Sequence, residues 1–310
     1  MNDYLSLTVG IACAGVGGEL FVRGAVGLAH WARIPPGIIG AVVAAFATSS
    51  PELSVSISSA LAGNPQIALG DALGSNIVNI ALVLAFALVI SGIQSPRDSV
   101  GRDFPVALLV PLLTGLLFFD GQLSRLDGLL MLVLFFSWLA LAMIEAKKQR
   151  SATDEILGEH RKGLVVGSSV AGLVLLVLAG DLIVTGAKGI ALSFGMDYFL
   201  VGVTIVAIGT SAPELATAVI AKLRGHDEVG LGTILGSNIF NGLLIVPVAA
   251  VIEPIAVVAR HEVALSLAAG FMAVLLPYPT RTGYIQRSRG VLLLLFYGGY
   301  VYTLLALRGT

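Results

Sequence analysis

Ten mostly apolar stretches, most of them long enough for a bilayer-crossing helix, follow one another along the chain. They lie near residues 5–29, 35–62, 66–90, 104–119, 123–144, 163–190, 197–222, 228–252, 262–277 and 288–307, the fourth and ninth being short. One long polar stretch, Glu145 to Lys162, interrupts them with Lys, Arg and Glu. The pattern predicts an all-α membrane protein with ten transmembrane helices: five in residues 1–144, a linker at 145–162, and five in residues 163–310. A linker of that length is too short to fold by itself.

Basic residues orient the spans. With the N-terminus outside, the inner loops receive thirteen of the eighteen Lys and Arg side chains, the largest group being in the linker. The positive-inside rule then places both termini outside and the linker in the cytoplasm of a cell with this protein in its inner (plasma) membrane. The opening segment, MNDYLSLTVG, lacks the basic start of a cleaved signal peptide and reads as the beginning of the first span. Composition agrees: 56% of residues are hydrophobic and 12% charged, where soluble domains carry about a quarter charged residues. No basic cluster is interleaved with aromatics, which argues against nucleic acid as a partner, and no obligate protein partner is evident. Cys13 is the only cysteine, so no intrachain disulfide forms.

The two halves are copies. Residues 18–82 fall on 180–244 without a gap, with 25 of 65 positions identical. TSSPEL at 48–53 meets TSAPEL at 210–215, and LGSNIVN at 73–79 meets LGSNIFN at 235–241. Five spans per copy is an odd number, so the copies must cross the membrane in opposite senses. Such inverted-topology repeats characterise secondary transporters, whose sites lie at the repeat interface near the bilayer midplane. A duplicated scaffold without transport is the plainer alternative.

The second and seventh spans carry the candidate chemistry. Pro51 and Pro213 each remove a helical hydrogen bond. Ser, Pro and an acid are also a good helix start. One helix is therefore expected to stop near Thr48 and another to begin near Ser49, and likewise at Thr210 and Ser211. Such breaks are tolerated where freed carbonyls line a cavity or bind something. Glu52 and Glu214 then lie deep in the membrane, where an ionised carboxylate is costly and usually functional. No Lys or Arg sits at matching depth, and bound cations are the simplest compensation; a protonated, hydrogen-bonding glutamate is the alternative. Ser75 and Asn79 share a helix face, as do Ser237 and Asn241. These four line the site or bond between helices. Gly74 and Gly236 permit close packing or a kink beside them. Asn76 and Asn238 point elsewhere and are assigned to packing or backbone bonding.

Carboxylates, amide oxygens, hydroxyls and carbonyls form an all-oxygen set suited to calcium, and to sodium of similar radius. The four histidines lie at or near loops, which disfavours zinc or copper. No nucleophile with a neighbouring base is apparent, so no catalytic residue is assigned and an enzyme is not expected. Outside the motifs, Glu19 can pair with Arg23 one turn on, and Asp181 is its counterpart; a structural or gating role suits both. Asp71 and Asp227, near loop ends, read as solvated.

At these motifs the sequence resembles the calcium/cation antiporter superfamily, and within it the sodium/calcium exchangers, over nearly its whole length. The resemblance implies a fold of ten helices in two inverted halves, transported Ca2+ and Na+ with no prosthetic group, and a diamond of ion sites between spans two, three, seven and eight. It implies Glu52 and Glu214 as central calcium ligands, completed by the carbonyls of Thr48 and Thr210. Ala45, Ser49 and Ser75, with Ala207, Ser211 and Ser237, would serve flanking sodium sites, and Asn79 and Asn241 would line the centre. Ala47 departs from the family's usual glycine, which Gly209 keeps. Asn241 stands where some members carry aspartate, leaving two central acids and arguing against strict potassium dependence. The function implied is exchange of Ca2+ for Na+ by alternating access, with a proton/calcium antiporter of the same fold and a passive cation channel as rivals.

Overall fold

The computed structural model describes residues 3–32, 36–97, 99–150, 162–193, 202–257, 260–280 and 282–306. Helix α1 (Asp3–Ala32) is continuous. α2 (Ile39–Thr48) and α3 (Ser50–Leu61) follow, separated only by Ser49. α4 is Pro65–Ile90, α5 Ser99–Asp120 and α6 Arg125–Arg150. In the second half α7 is Lys162–Ser193, α8 is Ala207–Thr210 entered through a wide π turn at Gly202–Val206, and α9 is Ala212–Leu223. α10 (Asp227–Ile252), α11 (Arg260–Leu275) and α12 (Arg287–Ala306) complete the chain. α4, α5, α6, α10 and α12 are each long and apolar enough to cross a membrane. Many large apolar side chains on α5, α6 and α12, such as Leu116, Leu126 and Leu295, face outward, which is the surface a bilayer solvates.

Local chemistry sets the ends. Pro65 opens α4, where its missing N–H costs nothing. At α6, Asp127 Oδ2 accepts from the Ser124 amide at 2.8 Å and hydroxyl at 2.6 Å, while the Asp127 amide donates to Ser124 Oγ at 3.2 Å. That reciprocal cap fixes the helix start. α6 runs to Arg150, so the stretch expected as linker from Glu145 begins as helix. Arg102 Nη1 holds Glu145 at 2.5 Å, tying that extension to α5. The rest of the linker, 151–161, lies outside the described residues.

Two packing relations position the centre. α1 and α7 run antiparallel in tight contact: Gly17 lies against Leu175 and Leu176, Gly24 against Ser169, and Gly27 against Val165. Their link to α2 is a small cluster of Phe21, Leu176, Ile39, Ala44 and Ala47, separate from the large core that unites the other helices. Ala47 spends its methyl group in that cluster. Inside the core, α2 lies against α10 where Gly236 meets Ala41 and Ala45, and α4 lies against 203–207 where Gly74 meets Val203 and Ala207. The second contact is the first shifted by the repeat offset.

Loop pairings repeat the relation. Ile93–Gln94 pairs antiparallel with Tyr284–Ile285, and Gln122–Leu123 with Ile255–Ala256. The same offset carries 93–94 onto 255–256 and 122–123 onto 284–285. Lys222 Nζ donates to Gly92 O at 2.7 Å and Arg287 Nη2 to Val89 O at 2.8 Å at one end. Arg125 Nη2 donates to Ile252 O at 3.3 Å at the other.

Candidate functional site

The helix interruption expected at each motif is present, and it is one residue long. α2 stops at Thr48 and α3 starts at Ser50, with Ser49 at φ −82 and ψ 8 between them. α8 stops at Thr210 and α9 starts at Ala212, with Ser211 at φ −77 and ψ 3. Each serine keeps its backbone bonds: Ser49 N–H to Ala45 O at 2.9 Å, and Ser211 N–H to Ala207 O at 3.1 Å. The proline two residues later offers no N–H to the carbonyl four residues before it, that of Ala47 or Gly209. The break therefore costs one regular helical hydrogen bond and re-aims the chain without unravelling it.

Wide π turns stand beside the motifs in all four helical regions: Ile39–Ala44, Asn79–Leu84, Gly202–Val206 and Asn241–Ile245. Such turns are rare and concentrate at functional sites. The sequence reading missed them, and no residue pattern marks them beyond the asparagine that opens two of the four.

The structure brings the expected residues together. Glu52, Glu214, Thr48, Thr210, Ser75, Ser237, Asn79, Asn241, Ala45 and Ala207 are fully enclosed, and Ser49 and Ser211 nearly so. One cross-half contact comes as a mirrored pair. Thr48 Oγ1 lies 3.4 Å from Ser237 Oγ, and Thr210 Oγ1 lies 3.1 Å from Ser75 Oγ. Asn79 Nδ2 donates to Asn238 Oδ1 at 3.1 Å, and Asn238 Nδ2 donates to the Asn76 carbonyl at 3.0 Å. Asn238 is thus a strut between α4 and α10, in keeping with its expected packing role. The Ala45 and Ala207 carbonyls already accept a serine amide each.

Two expectations are corrected. Asp71 is not solvated: it is fully enclosed, and Thr210 Oγ1 donates to its Oδ1 at 3.0 Å. It stands in the second turn of α4 (near a loop in sequence), but the Thr210 region packs over it. The centre therefore holds three acids rather than two. Asp227 is not simply in water either, because Lys222 Nζ pairs with it at 2.9 Å across the turn. Glu19 does pair with Arg23, at 2.5 Å, and also with Arg224 beyond the end of α9. The Asp181 side chain lies outside those described.

Among the described residues, no ion pair involves Glu52, Asp71 or Glu214. Seven enclosed side-chain oxygens of this centre have no hydrogen-bond partner: both of Glu52, one each of Glu214, Asp71, Asn79 and Asn241, and Ser211 Oγ. Buried polar atoms are nearly always paired, and buried charge without compensation is costlier still. Every oxygen in the set is hard, as calcium and sodium require. No three acidic, His or Cys side chains among the described residues stand close enough to hold a metal ion on their own. Hydroxyl, amide and carbonyl oxygens must complete any shell, as the interleaving of these groups allows.

Helices of this length and apolarity around an enclosed, acidic, oxygen-lined centre define a multi-pass membrane protein that handles hard cations. The family model described as sodium/calcium exchanger protein matches residues 3–144 and 164–306, and the chain belongs to that family. It is a family of transporters, not of enzymes. The CaxA protein of Alkalimonas amylolytica is 38% identical over 299 residues, covering 92% of this chain and 93% of that one. The inner membrane protein YrbG of Escherichia coli (strain K12) is 35% identical over 257 residues, covering 80% and 79%. The solved sodium-calcium exchanger NCX_Mj, soaked with Na+ and Ca2+, superposes with a TM-score of 0.82 at 27% identity, covering 97% of this chain and 99% of that one.

Proposed function

We propose that the protein is a secondary antiporter that exchanges Ca2+ for Na+ by alternating access. In this reading ten transmembrane helices form two inverted-topology halves, 1–144 and 163–310, joined by a cytoplasmic linker, with both termini outside. Several features support that topology. α1 and α7, which open the two halves, run antiparallel. The strand pairs and loop contacts join only loops that the positive-inside assignment puts on one side. The assignment of NCX_Mj as a sodium-calcium exchanger supports the ion pair.

One observation carries the reading: mirrored, enclosed carboxylates at Glu52 and Glu214 with no basic partner among the described residues. Calcium would neutralise both as one divalent ion. Sodium ions would do so from adjacent positions lined by Ser49, Ser75, Ser211, Ser237 and the carbonyls of Ala45 and Ala207. Thr48, Thr210, Asn79 and Asn241 would complete the shells with carbonyl and amide oxygens. The α1–α7 pair, which meets the rest through small clusters outside the large core and through the Glu19–Arg224 pair, is the element placed to slide and switch access. Radiolabelled calcium uptake into everted vesicles tests this. Uptake is expected only when sodium inside exceeds sodium outside. Uptake driven by a pH gradient without sodium would instead make it a proton/calcium antiporter, and uptake without any counter-ion a channel.

The Glu19 cluster offers a check on sliding. Glu19, Arg23 and Arg224 are partly exposed, so Glu19→Gln costs at most about 1 kcal/mol of stability. If the cluster tethers one access state, the same ~1 kcal/mol shifts the balance between states about fivefold. The ratio of calcium affinities measured from the two membrane faces is expected to change by that factor, with little change in Tm.

A further inference from the structure

The two halves of the centre are not equal, and Asp71 stands on the side that differs. In the second half Glu214 Oε1 accepts from Ser237 Oγ at 3.0 Å and from Ser49 Oγ at 3.3 Å. The mirrored donors for Glu52 are Ser75 and Ser211. Neither reaches it: Ser75 Oγ lies 3.1 Å from Thr210 Oγ1 and 3.5 Å from both Asp71 Oδ1 and Ala207 O, and Ser211 Oγ has no partner. Thr210, which mirrors Thr48, also gives its hydroxyl to Asp71, at 3.0 Å. Position 233 is the repeat counterpart of Asp71 and holds threonine, whose hydroxyl donates to Val229 O at 2.8 Å within its own helix. Asp71 thus takes the Thr210 hydroxyl and stands at the edge of reach of Ser75, while both Glu52 oxygens and its own Oδ2 stay unpartnered. Glu52 and Asp71 are both fully enclosed in this centre, and Thr210 bridges Asp71 to Ser75.

We propose that Asp71 is a specificity-determining residue of this exchanger: with Glu52, Ser75 and Thr210 it makes a flanking subsite of doubled negative charge that takes a monovalent alkali cation of sodium type. The inference rests on the exchange reading for its physiological meaning, but not for its binding test. Two enclosed carboxylates with hydroxyls beside one of them offer the oxygen ligands that hold a hard cation. The short hydroxyl-rich wall suits a monovalent ion, because the central divalent ion already claims the charge of Glu214 and one share of Glu52. The mirrored subsite, with Thr233 in place of an acid, lacks the extra charge and binds the same ion more weakly. The cargo that neutralises the whole centre therefore includes one positive charge more than Glu52 and Glu214 alone require.

Purified protein in detergent, stripped of sodium and calcium, tests this by its thermal unfolding in titrations with NaCl and CaCl2, using choline chloride to fix ionic strength. Asp71→Asn keeps the acceptor for Thr210, and Asp71→Thr installs what the mirrored position carries. Both are expected to raise the half-saturating sodium concentration about tenfold while leaving that for calcium within about threefold. Both are also expected to unfold at higher temperature than the wild type in the ion-free state, since an uncompensated buried charge is gone. In proteoliposomes the same variants should require about tenfold more sodium to drive calcium exchange. Unchanged sodium titrations in either variant overturn the assignment, as does an equal loss of sodium and calcium binding. A wild type that binds sodium as described but shows no sodium-driven exchange refutes the exchange reading and leaves the subsite intact.

Discussion

Glu214→Gln and Glu52→Gln are each expected to reduce sodium-driven calcium uptake at least a thousandfold while leaving the protein folded. Each side chain is fully enclosed, and none of the described basic residues compensates it. Two unit charges about 4 Å apart interact by about 4 kcal/mol at the effective dielectric of about 20 that suits protein sites. Since about 1.4 kcal/mol is a factor of ten, losing one such term from a divalent ion removes about three orders of magnitude of affinity. Stability moves the other way. A buried carboxylate without its ion costs several kcal/mol, and the amide of Gln removes that cost at nearly constant shape. The ion-free variants should therefore melt above the ion-free wild type, and calcium should no longer raise their melting temperature. The two variants are expected to differ in degree. Glu214 holds two serine hydroxyls that Gln can still accept in part, whereas Glu52 holds none. Glu52→Gln should therefore show the larger gain in ion-free stability. Melting below the wild type in ion-free buffer would mean that these carboxylates are protonated hydrogen-bonding groups, not ion ligands.

The centre was legible where the chain repeats itself. Thr48-Ser49 and Pro51-Glu52 against Thr210-Ser211 and Pro213-Glu214 set a helix breaker beside an acid in an apolar run, twice, and an acid kept at that depth in both copies points to a bound cation. The one-residue interruptions follow from proline chemistry, and the structure has them at Ser49 and Ser211. Asp71 was missed for the complementary reason. Its repeat partner is Thr233, so symmetry does not single it out, and its nearness to Pro65 suggested water. Enclosure there comes from Thr210 and its neighbours, more than a hundred residues away, which no local pattern encodes. Asp227 misled in the same way, since Lys222 reaches it only once the turn at 224–226 has formed. The polar start of the linker proved to be the last turns of α6, because a helix leaving a bilayer can carry charge without ending. The π turns have no sequence signature and become visible only when α2, α4, α8 and α10 are packed together.

Gly236→Ala, a change of one methyl group, is expected to inactivate exchange as thoroughly as the loss of an acid. A Cβ at 236 would overlap the Ala41 carbonyl oxygen and stand 2.7 Å from Ala45 Cβ. Both are parts of α2, one of them backbone, so neither can swing aside as a flexible side chain would. α2 and α10 must separate by about an ångström, and overpacking of this kind costs about 1–3 kcal/mol. The fold has other contacts to absorb that cost. The ion centre has not, because Ser237 is the next residue: it meets Thr48 of α2 across this interface and donates to Glu214 of α9. Calcium ligands lie about 2.3–2.6 Å from the ion, so an ångström of separation removes ligands from one side of the shell. Gly74→Ala, whose Cβ would overlap the Val203 carbonyl oxygen and stand 2.6 Å from Ala207 Cβ, should act alike on the mirrored interface. Gly298→Ala is the control, since nothing lies within 4 Å of a methyl group there. The measurements are calcium-dependent thermal stabilisation and sodium-driven uptake. Both should be lost, or weakened about a thousandfold, in the first two variants and unchanged in the third. Normal calcium binding by Gly236→Ala would show that α2 and α10 need not touch at this point for the centre to form, and would break the link between helix packing and ion ligation.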